Sequence, residues 1–259
     1  MLLFILLILL LALLLLAGKR FSTPAAYGQN SLSKNELFSG ELIVGTYNIH
    51  RARGLDGQQD LSRTAEVLRG ADIVGISEVQ GWANLKRENQ LLLLARKLNL
   101  TGLFCPTQFR WLHQDRGNGI LSRFNITQWY REPLADSTGK HARCLCRADI
   151  QLGELIVPVF STHLARRTDQ EIQLNTVFDR FMNHDTAILM GDFNVAADFP
   201  LLKSLIEKSG AQDALITLNQ TDRIDWILCK GFDVLDAGMN DSSASDHPYY
   251  WCRLRLTQK

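Results

Sequence analysis

Residues 41–80 read ELIVGTYNIHRARGLDGQQDLSRTAEVLRGADIVGISEVQ. Two short apolar runs rich in β-branched residues, 41–48 and 72–78, predict buried strands. Between them, DLSRTAEVLR (60–69) carries apolar residues at helical spacing behind an aspartate suited to cap the helix. This stretch therefore predicts a strand, a helix and a second strand of an α/β fold.

The rest of the chain alternates helices with strands and hairpins. Helices are predicted at 84–98, 169–182 and 200–208. Strands are predicted around 119–122 and 129–130, in a hairpin at 143–150 and 155–161, and at 187–190, 223–229, 232–235 and 249–256. Because hairpins are mixed with strand–helix units, we expect mixed sheets stacked in layers and not one doubly wound sheet.

Composition narrows the class of protein. The 259 residues suit one large domain or two small ones, and a hydrophobic fraction of 46% excludes a disordered chain. Lys and Arg number 28 against 27 Asp and Glu, which argues against a protein held on nucleic acid by bulk positive charge. The five cysteines are an odd number without a C-x-x-C pair, so we expect neither a disulfide framework nor a zinc site but five buried thiols: Cys105, Cys144, Cys146, Cys229 and Cys252.

The N-terminus is an unbroken apolar run over residues 2–17. We interpret residues 1–18 as a transmembrane anchor in a lipid bilayer or an uncleaved signal, with a cleaved export signal as the alternative. No cation precedes the run, whereas Lys19 and Arg20 follow it and favour a cytoplasmic body; an export signal would place the body outside. Residues 19–40 are rich in small and polar residues and are interpreted as a linker.

Polar side chains with catalytic potential stand where the buried strands end. Because α/β folds gather ligands at the carboxyl ends of strands, we expect these side chains to share one cleft. They are Asn48 followed by His50, Glu78, His163, Asp192 and Asn194, together with Asp246 and His247 just before the last strand.

These residue types fit hydrolysis of a phosphate ester. The carboxylate of Glu78 and the amide oxygen of Asn48 are hard ligands suited to Mg²⁺. Asp192 can orient or deprotonate an attacking water, and Asn194 can donate to a phosphate oxygen. Histidines at 163 and 247 can hold developing negative charge or move protons. Asp225 is a candidate to orient His247.

The order of the motifs resembles that of the endonuclease/exonuclease/phosphatase superfamily, whose members share the deoxyribonuclease I-like fold. The matching stretches are TYNI (46–49), SEV (77–79), GNGILSR (117–123), STHL (161–164), GDFN (191–194), RID (223–225) and SDHP (245–248). This resemblance, to a bacterial-type member, implies a four-layer α/β sandwich with two central mixed β-sheets flanked by helices. It implies that residues 41–259 form the catalytic domain.

The resemblance also implies roles for individual residues. Asn48, Glu78 and Asp246 would bind Mg²⁺, with Mn²⁺ as a possible substitute. His163, Asp192, Asn194, Asp225 and His247 would form the catalytic group. Asn118 and Arg123 belong to the matched GNGILSR stretch as weak candidates for substrate binding, and a structural or peripheral role is preferred for both.

The expected activity is that of a metal-dependent phosphodiesterase or phosphatase tethered to a membrane. Its substrate could be nucleic acid, a phospholipid headgroup or a small phosphate ester. Gln80 stands where nucleases of the group often have arginine, and residues 79–117 contain no tyrosine to contact a phosphate. These departures argue against cleavage of duplex DNA. The alternatives are a nuclease acting on DNA or RNA, and a membrane-tethered pseudoenzyme or binding module on the same fold.

Overall fold

Two seven-stranded mixed sheets pack face to face, with helices on the outer faces of both. The computed structural model describes residues 1–29, 37–81, 88–110, 113–135, 142–166 and 169–257. Two packed sheets between two helical layers confirm the predicted four-layer α/β sandwich.

The strands are, in chain order, β1 (Arg20–Ser22), β2 (Ala26–Gln29), β3 (Glu41–Asn48), β4 (Ile73–Gln80), β5 (Thr101–Arg110), β6 (His113–Ser122), β7 (Ile126–Pro133), β8 (Cys144–Leu152), β9 (Leu155–His163), β10 (Ala187–Asp192), β11 (Gln212–Asp213), β12 (Asp225–Lys230), β13 (Phe232–Asn240) and β14 (Tyr249–Leu256). The helices are α1 (Leu2–Gly18), α2 (Leu61–Val67), α3 (Gln90–Leu98), α4 (Gln170–Met182) and α5 (Pro200–Ser209).

The first sheet has the strand order β1-β5-β6-β4-β3-β14-β13, and the second has the order β11-β12-β10-β9-β8-β7-β2. Strands β3 and β4 pair in parallel, as do β9 and β10, and the other pairs are antiparallel. The two parallel pairs place the carboxyl ends of four central strands at one edge of the sandwich. That edge carries the candidate site.

The core between the sheets follows from side-chain alternation along the strands. On β8, Cys144, Cys146 and Ala148 face the other sheet, whereas Leu145 points outward into the cluster formed with α4 and α5. Helices α2 and α3 cover the outer face of the first sheet through a third apolar cluster. Each sheet is therefore buried on both faces, which explains why its central strands are continuous apolar runs.

Capping side chains begin two of the helices. Asp60 accepts a hydrogen bond from the backbone N–H of Ser62 at 2.7 Å, as its position before α2 predicts. Asn89 accepts one from the N–H of Leu92 at 2.9 Å and so begins α3. The predicted start of that helix at residue 84 lies outside the described residues.

The predicted transmembrane anchor is not supported. Helix α1 has 17 residues, or about 26 Å at 1.5 Å per residue, against a bilayer core of ~30 Å. Among the described ranges, no helix is both long and apolar enough to cross a membrane.

The interpretation of residues 19–40 as a linker differs from the structure. Strand β1 adds to the edge of the first sheet by pairing with β5, and β2 adds to the second sheet by pairing with β7. These strands are three and four residues long, too short for a periodic signal. Residues 30–36 of this segment lie outside the described ranges.

The prediction of five free thiols is wrong for two cysteines. Cys105 on β5 and Cys146 on β8 form a disulfide that joins the two sheets across the core, with Cα atoms 6.0 Å apart. Sequence spacing could not indicate this pair because the two cysteines approach only when the sheets stack. Cys144, Cys229 and Cys252 are buried free thiols, as predicted.

Candidate active site

Asp192, the last residue of β10, lies at the centre of the site. In the strand register it stands beside His163 of β9 on one side and Asp225 of β12 on the other. Neighbouring strands lie about 4.8 Å apart, so the three side chains stand next to one another on the same sheet. All three are buried.

Gly191 allows strand β10 to approach β9 closely just before Asp192. Its φ is +142°, and a Cβ atom there would lie 1.9 Å from the carbonyl oxygen of Thr162. No side chain fits at this position without moving the backbone of β9. The glycine of the GDFN stretch therefore has a structural role in placing the aspartate beside His163.

Four groups surround the carboxylate of Asp192. Asn48 donates its Nδ2–H to Oδ2 at 3.0 Å from the opposite sheet, and the backbone N–H of Asn194 donates to Oδ1 at 2.9 Å. The Nε2 atoms of His163 and His247 lie 3.4 and 3.9 Å from Oδ2. The structure thus brings four of the predicted site residues around the carboxylate of a fifth, Asp192.

The environment of Asp192 makes this carboxyl group a weaker acid than usual. Burial and the nearby charge of Asp225 raise its pKa to about 7, although His247, Asn48 and Asn194 act in the opposite direction. A carboxyl group with a pKa near neutrality is suited to accept a proton at neutral pH.

The two histidines have opposite protonation preferences. Burial disfavours the charged form of His247, but the hydrogen bond from its Nδ1 to Asp225 at 2.7 Å and the neighbouring carboxylates outweigh burial and raise its pKa to about 9. Burial and the charges of Arg143, His247 and Arg166 hold the pKa of His163 well below its usual value. At neutral pH the site therefore has an imidazolium at 247 and a neutral ring at 163.

Glu78 is placed by a distortion in β4. Its φ is +56°, unusual for a residue other than glycine, and the β4–β6 register shifts between Ile76 and Val79. Left-handed backbone in a bulge is the kind of local strain found at functional sites. Asn48 is the register partner of Ser77, so Glu78 follows directly beside the end of β3.

Asp246 lies in the loop before β14 and is half exposed. Ser245 attaches this loop to the end of β3, because its hydroxyl donates to the backbone oxygen of Asn48 at 2.7 Å.

A separate group of possible metal ligands consists of Asp192, Asp225 and His247, whose ligand atoms lie within 4.8 Å of one another.

Asn194 is held by protein contacts on both sides of its amide. Its Nδ2–H donates to the carbonyl of Leu164 at 2.9 Å, and Arg166 donates to its Oδ1 at 2.8 Å. The predicted donation to a phosphate therefore falls to the second hydrogen of Nδ2.

The two weak substrate-binding candidates, Asn118 and Arg123, both contact other parts of the protein. Asn118 is buried on β6, where its amide donates to the backbone oxygen of Cys144 at 3.4 Å. Arg123 follows the far end of β6 and pairs with Asp72 at 3.1 Å. Both side chains thus have protein partners, and their roles stay a prediction.

Sequence reasoning missed three arginines near the site, Arg116, Arg143 and Arg166, whose charges act on His163. Arg143 is also within electrostatic range of Asp192 and Glu78. Its position just before β8 carries no motif. Arg166 follows the STHL stretch by two residues. Its closeness to a catalytic motif is the signal by which the sequence could have indicated a cation at the site.

A family model described as the Endonuclease/Exonuclease/phosphatase family matches residues 45–247. No curated protein matches the chain. Among the solved structures that share the fold are the following three. The endonuclease/exonuclease/phosphatase from Beutenbergia cavernae DSM 12333 is 24% identical with a TM-score of 0.71, over 84% of this chain and 72% of that one.

The mannosyl-6-phosphatase of Bacteroides thetaiotaomicron VPI-5482 is 18% identical with a TM-score of 0.63, over 83% of this chain and all of that one (100%). The human nocturnin catalytic domain with a bound sulfate anion is 18% identical with a TM-score of 0.64, over 91% of this chain and 100% of that one. Because the family match extends over most of the sequence and includes every residue around Asp192, the chain belongs to the endonuclease/exonuclease/phosphatase family, whose members are hydrolases acting on phosphoesters.

Proposed function

We propose that the protein hydrolyses a phosphomonoester or phosphodiester by in-line attack of water, with a divalent cation. The observation that carries this proposal is the position of Asp192, a carboxylate with a pKa of about 7, between a neutral histidine and a protonated one. The attack of water on phosphorus requires a base, and the departure of an alcohol requires an acid. Asp192 can serve as the base, and the protonated histidine beside it can serve as the acid.

Asn48, Glu78 and Asp246 would hold the cation. They offer only oxygen ligands, and a set of carboxylate and amide oxygens suits Mg²⁺ or Mn²⁺. The bound cation would supply positive charge against the phosphate oxygens. The group formed by Asp192, Asp225 and His247 suits a cation less well, because the ring nitrogen Nδ1 is already bonded to Asp225 and the pKa of about 9 keeps the ring protonated.

Asp192 is the group placed to accept the proton of the attacking water. Asn48 and the backbone N–H of Asn194 each donate to one oxygen of its carboxylate and so fix its orientation. The neutral ring of His163 lies against the same carboxylate. Its Nε2–H can support the carboxylate without adding a second positive charge.

His247 is the group placed to face negative charge. Its imidazolium is oriented by Asp225 and lies within 3.9 Å of the proposed base. A fixed positive charge that meets the charge developing on phosphate stabilises the transition state more than the ground state. The same ring can give its proton to a leaving alcohol.

The substrate is proposed to be a compact phosphate ester. The near-neutral net charge of +1 gives little general attraction for a nucleic-acid strand. Arg143 and Arg166 add positive charge locally at the site. One similar structure is named a mannosyl-6-phosphatase and another holds a sulfate anion, which agrees with recognition of a small anionic group.

The test is a substrate panel on the purified full-length chain, with Mg²⁺ or Mn²⁺ and with excess EDTA. The panel contains sugar phosphates, p-nitrophenyl phosphate, bis-p-nitrophenyl phosphate, phosphoinositides, sphingomyelin, and single- and double-stranded DNA and RNA. We expect turnover of at least one small ester, lost in EDTA and in Glu78→Gln. Preferred cleavage of nucleic acid would favour the nuclease alternative, and full activity in EDTA would contradict the cation.

A pseudoenzyme or binding module is the competing class of function. It predicts that one of Glu78, Asp192, Asp246 or His247 is replaced, whereas all four are present. Binding of phosphate esters without turnover under every metal condition of the panel would favour it over the hydrolase.

A further inference from the structure

The ring of His50 lies between a cation and a carboxylate at the mouth of the site. Its Nε2 is 2.9 Å from a terminal nitrogen of Arg51, and its Nδ1 is 3.5 Å from Oδ1 of Asp246. A guanidinium can only donate, so Nε2 must accept. The ring hydrogen is therefore on Nδ1 and faces the carboxylate.

Two side chains face Oδ1 of Asp246, those of His50 and Ser245. The hydroxyl of Ser245 donates to Oδ1 of Asp246 at 3.3 Å, and it has a closer acceptor in the backbone oxygen of Asn48 at 2.7 Å. One hydroxyl hydrogen cannot serve both acceptors fully. His50 Nδ1, at 3.5 Å, is therefore a second group that faces Oδ1 with a hydrogen.

The backbone holds the ring in this position. His50, Arg51 and Ala52 have φ values of 44°, 62° and 56°, a run of left-handed residues without glycine. The N–H of His50 donates to Oδ1 of Asn48 at 3.1 Å. The ring is thereby connected through its backbone to one proposed cation ligand and through Nδ1 to another.

We propose that His50 is a positioning residue for the divalent cation: its Nδ1–H holds Oδ1 of Asp246 so that the other oxygen, Oδ2, is presented to the cation. This inference rests on the proposed function, since it takes Asp246 as a ligand. Among the described residues, Oδ2 of Asp246 has no hydrogen-bond donor of its own. His50 itself is not a ligand, because Nε2 is occupied by Arg51 and Nδ1 carries a hydrogen.

The test measures Mn²⁺ affinity of the full-length protein by calorimetry, in the absence of substrate. His50→Asn keeps an N–H near the position of Nδ1 and tolerates left-handed backbone, so it should bind Mn²⁺ within about 3-fold of the parent. His50→Gly also accepts the backbone but removes the donor. It should bind at least about 10-fold more weakly, as expected for loss of a group that orients a ligand. Arg53→Ala, an exposed cation in the same loop, is the control and should not change the affinity.

Unfolding midpoints in EDTA show whether each variant keeps its fold, since a loss of Mn²⁺ affinity at an unchanged midpoint excludes a merely structural role. Equal affinity of His50→Gly and the parent would overturn the inference, as would equally weak binding by the asparagine and glycine variants.

Two-bond ¹H–¹⁵N NMR on labelled histidine provides a second measurement. It should show the Nδ1–H form at His50, and the Nε2–H form would overturn the inference. If the parent does not bind Mn²⁺, the proposed function fails and this inference with it; loss of binding in Glu78→Gln but not in His50→Gly rejects this inference alone.

Discussion

Asp225→Asn removes the negative charge beside the proposed acid, His247, and keeps the shape of the side chain. An asparagine oxygen can still accept the hydrogen bond of His247 Nδ1, now 2.7 Å from the carboxylate, but the negative charge is gone. The pKa of His247 is about 9 in the parent against an ordinary 6.5. At ~1.4 kcal/mol per pKa unit, the site favours the imidazolium by about 3 kcal/mol.

The hydrogen bond and charge of Asp225 are the largest contributions that raise this pKa. We therefore expect the pKa of His247 in the variant to fall to between about 6 and 7. At pH 7.5 the protonated fraction then drops from nearly all to about one tenth. The neutral asparagine also holds the ring less firmly in its orientation, so kcat should fall by more than this fraction alone, by roughly 10²–10⁴-fold, while KM changes little.

The assay is the pH dependence of kcat with a saturating small phosphate ester. The parent should lose activity as the pH rises through about 9, and in the variant this loss should begin below pH 7. The stability of the parent should also fall as the pH rises. A raised histidine pKa stabilises the fold at low pH, and this contribution is lost between pH 6.5 and about 9. Urea unfolding of the variant should show little of this pH dependence.

Asp222→Asn, an exposed neighbour in the chain, is the matched control and should leave both profiles unchanged. The double variant with His247→Ala should cost little more than His247→Ala alone, because the two residues act as one unit. An unchanged alkaline limb in Asp225→Asn would show that Asp225 does not raise the pKa of His247, and additive losses in the double variant would show that the two residues act separately.

Three further predictions concern packing, cross-linking and substrate binding. Gly191→Ala should lower the free energy of unfolding by about 3 kcal/mol or more, measured in urea, because its Cβ would meet the oxygen of Thr162 at 1.9 Å; a loss below about 1 kcal/mol would contradict this. Protein purified without reductant should be lighter by the two hydrogens of the Cys105–Cys146 bond, and Cys105→Ala should cost about 4 kcal/mol for a separation of 41 residues; an unchanged mass after reduction would reject the bond. Arg166→Ala should raise KM about 10-fold with a smaller change in kcat, because it removes an exposed cation beside Asn194, and a loss confined to kcat would argue against that role.

The periodic parts of the fold were predictable because local pattern and tertiary environment agree. Strand β3 begins and ends at the predicted residues, and Asp60 caps α2. Strand β5, in contrast, contains Gly102 and Pro106 and alternates poorly. It forms because β6 and β1 pair with it on either side, and such long-range pairing leaves little signal in the sequence.

The site was predictable to the extent that its residues belong to motifs. Asp192, His163 and Asp225 meet because the sheet register places them side by side. The positions of Asp192 and His163 at the ends of predicted strands indicated a shared cleft. Arg143 was not identified, and no role was assigned to His50 although it stands at the end of a predicted strand. Their relation to the site depends on how the two sheets and the loops stack, and that stacking is set by the packed core and by no local pattern.

The most direct test of the account is hydrolysis of the best small ester from the substrate panel by the parent and by Asp192→Asn, at pH 7.5 with Mn²⁺. The substitution keeps the shape, and its one oxygen can still face Asn48 and His163. It loses the acceptor for the N–H of Asn194 and removes the proposed base. We predict turnover by the parent, absent in EDTA, and a loss of at least about 10²-fold in the variant. Activity of Asp192→Asn within a few-fold of the parent would contradict the central role of this carboxylate.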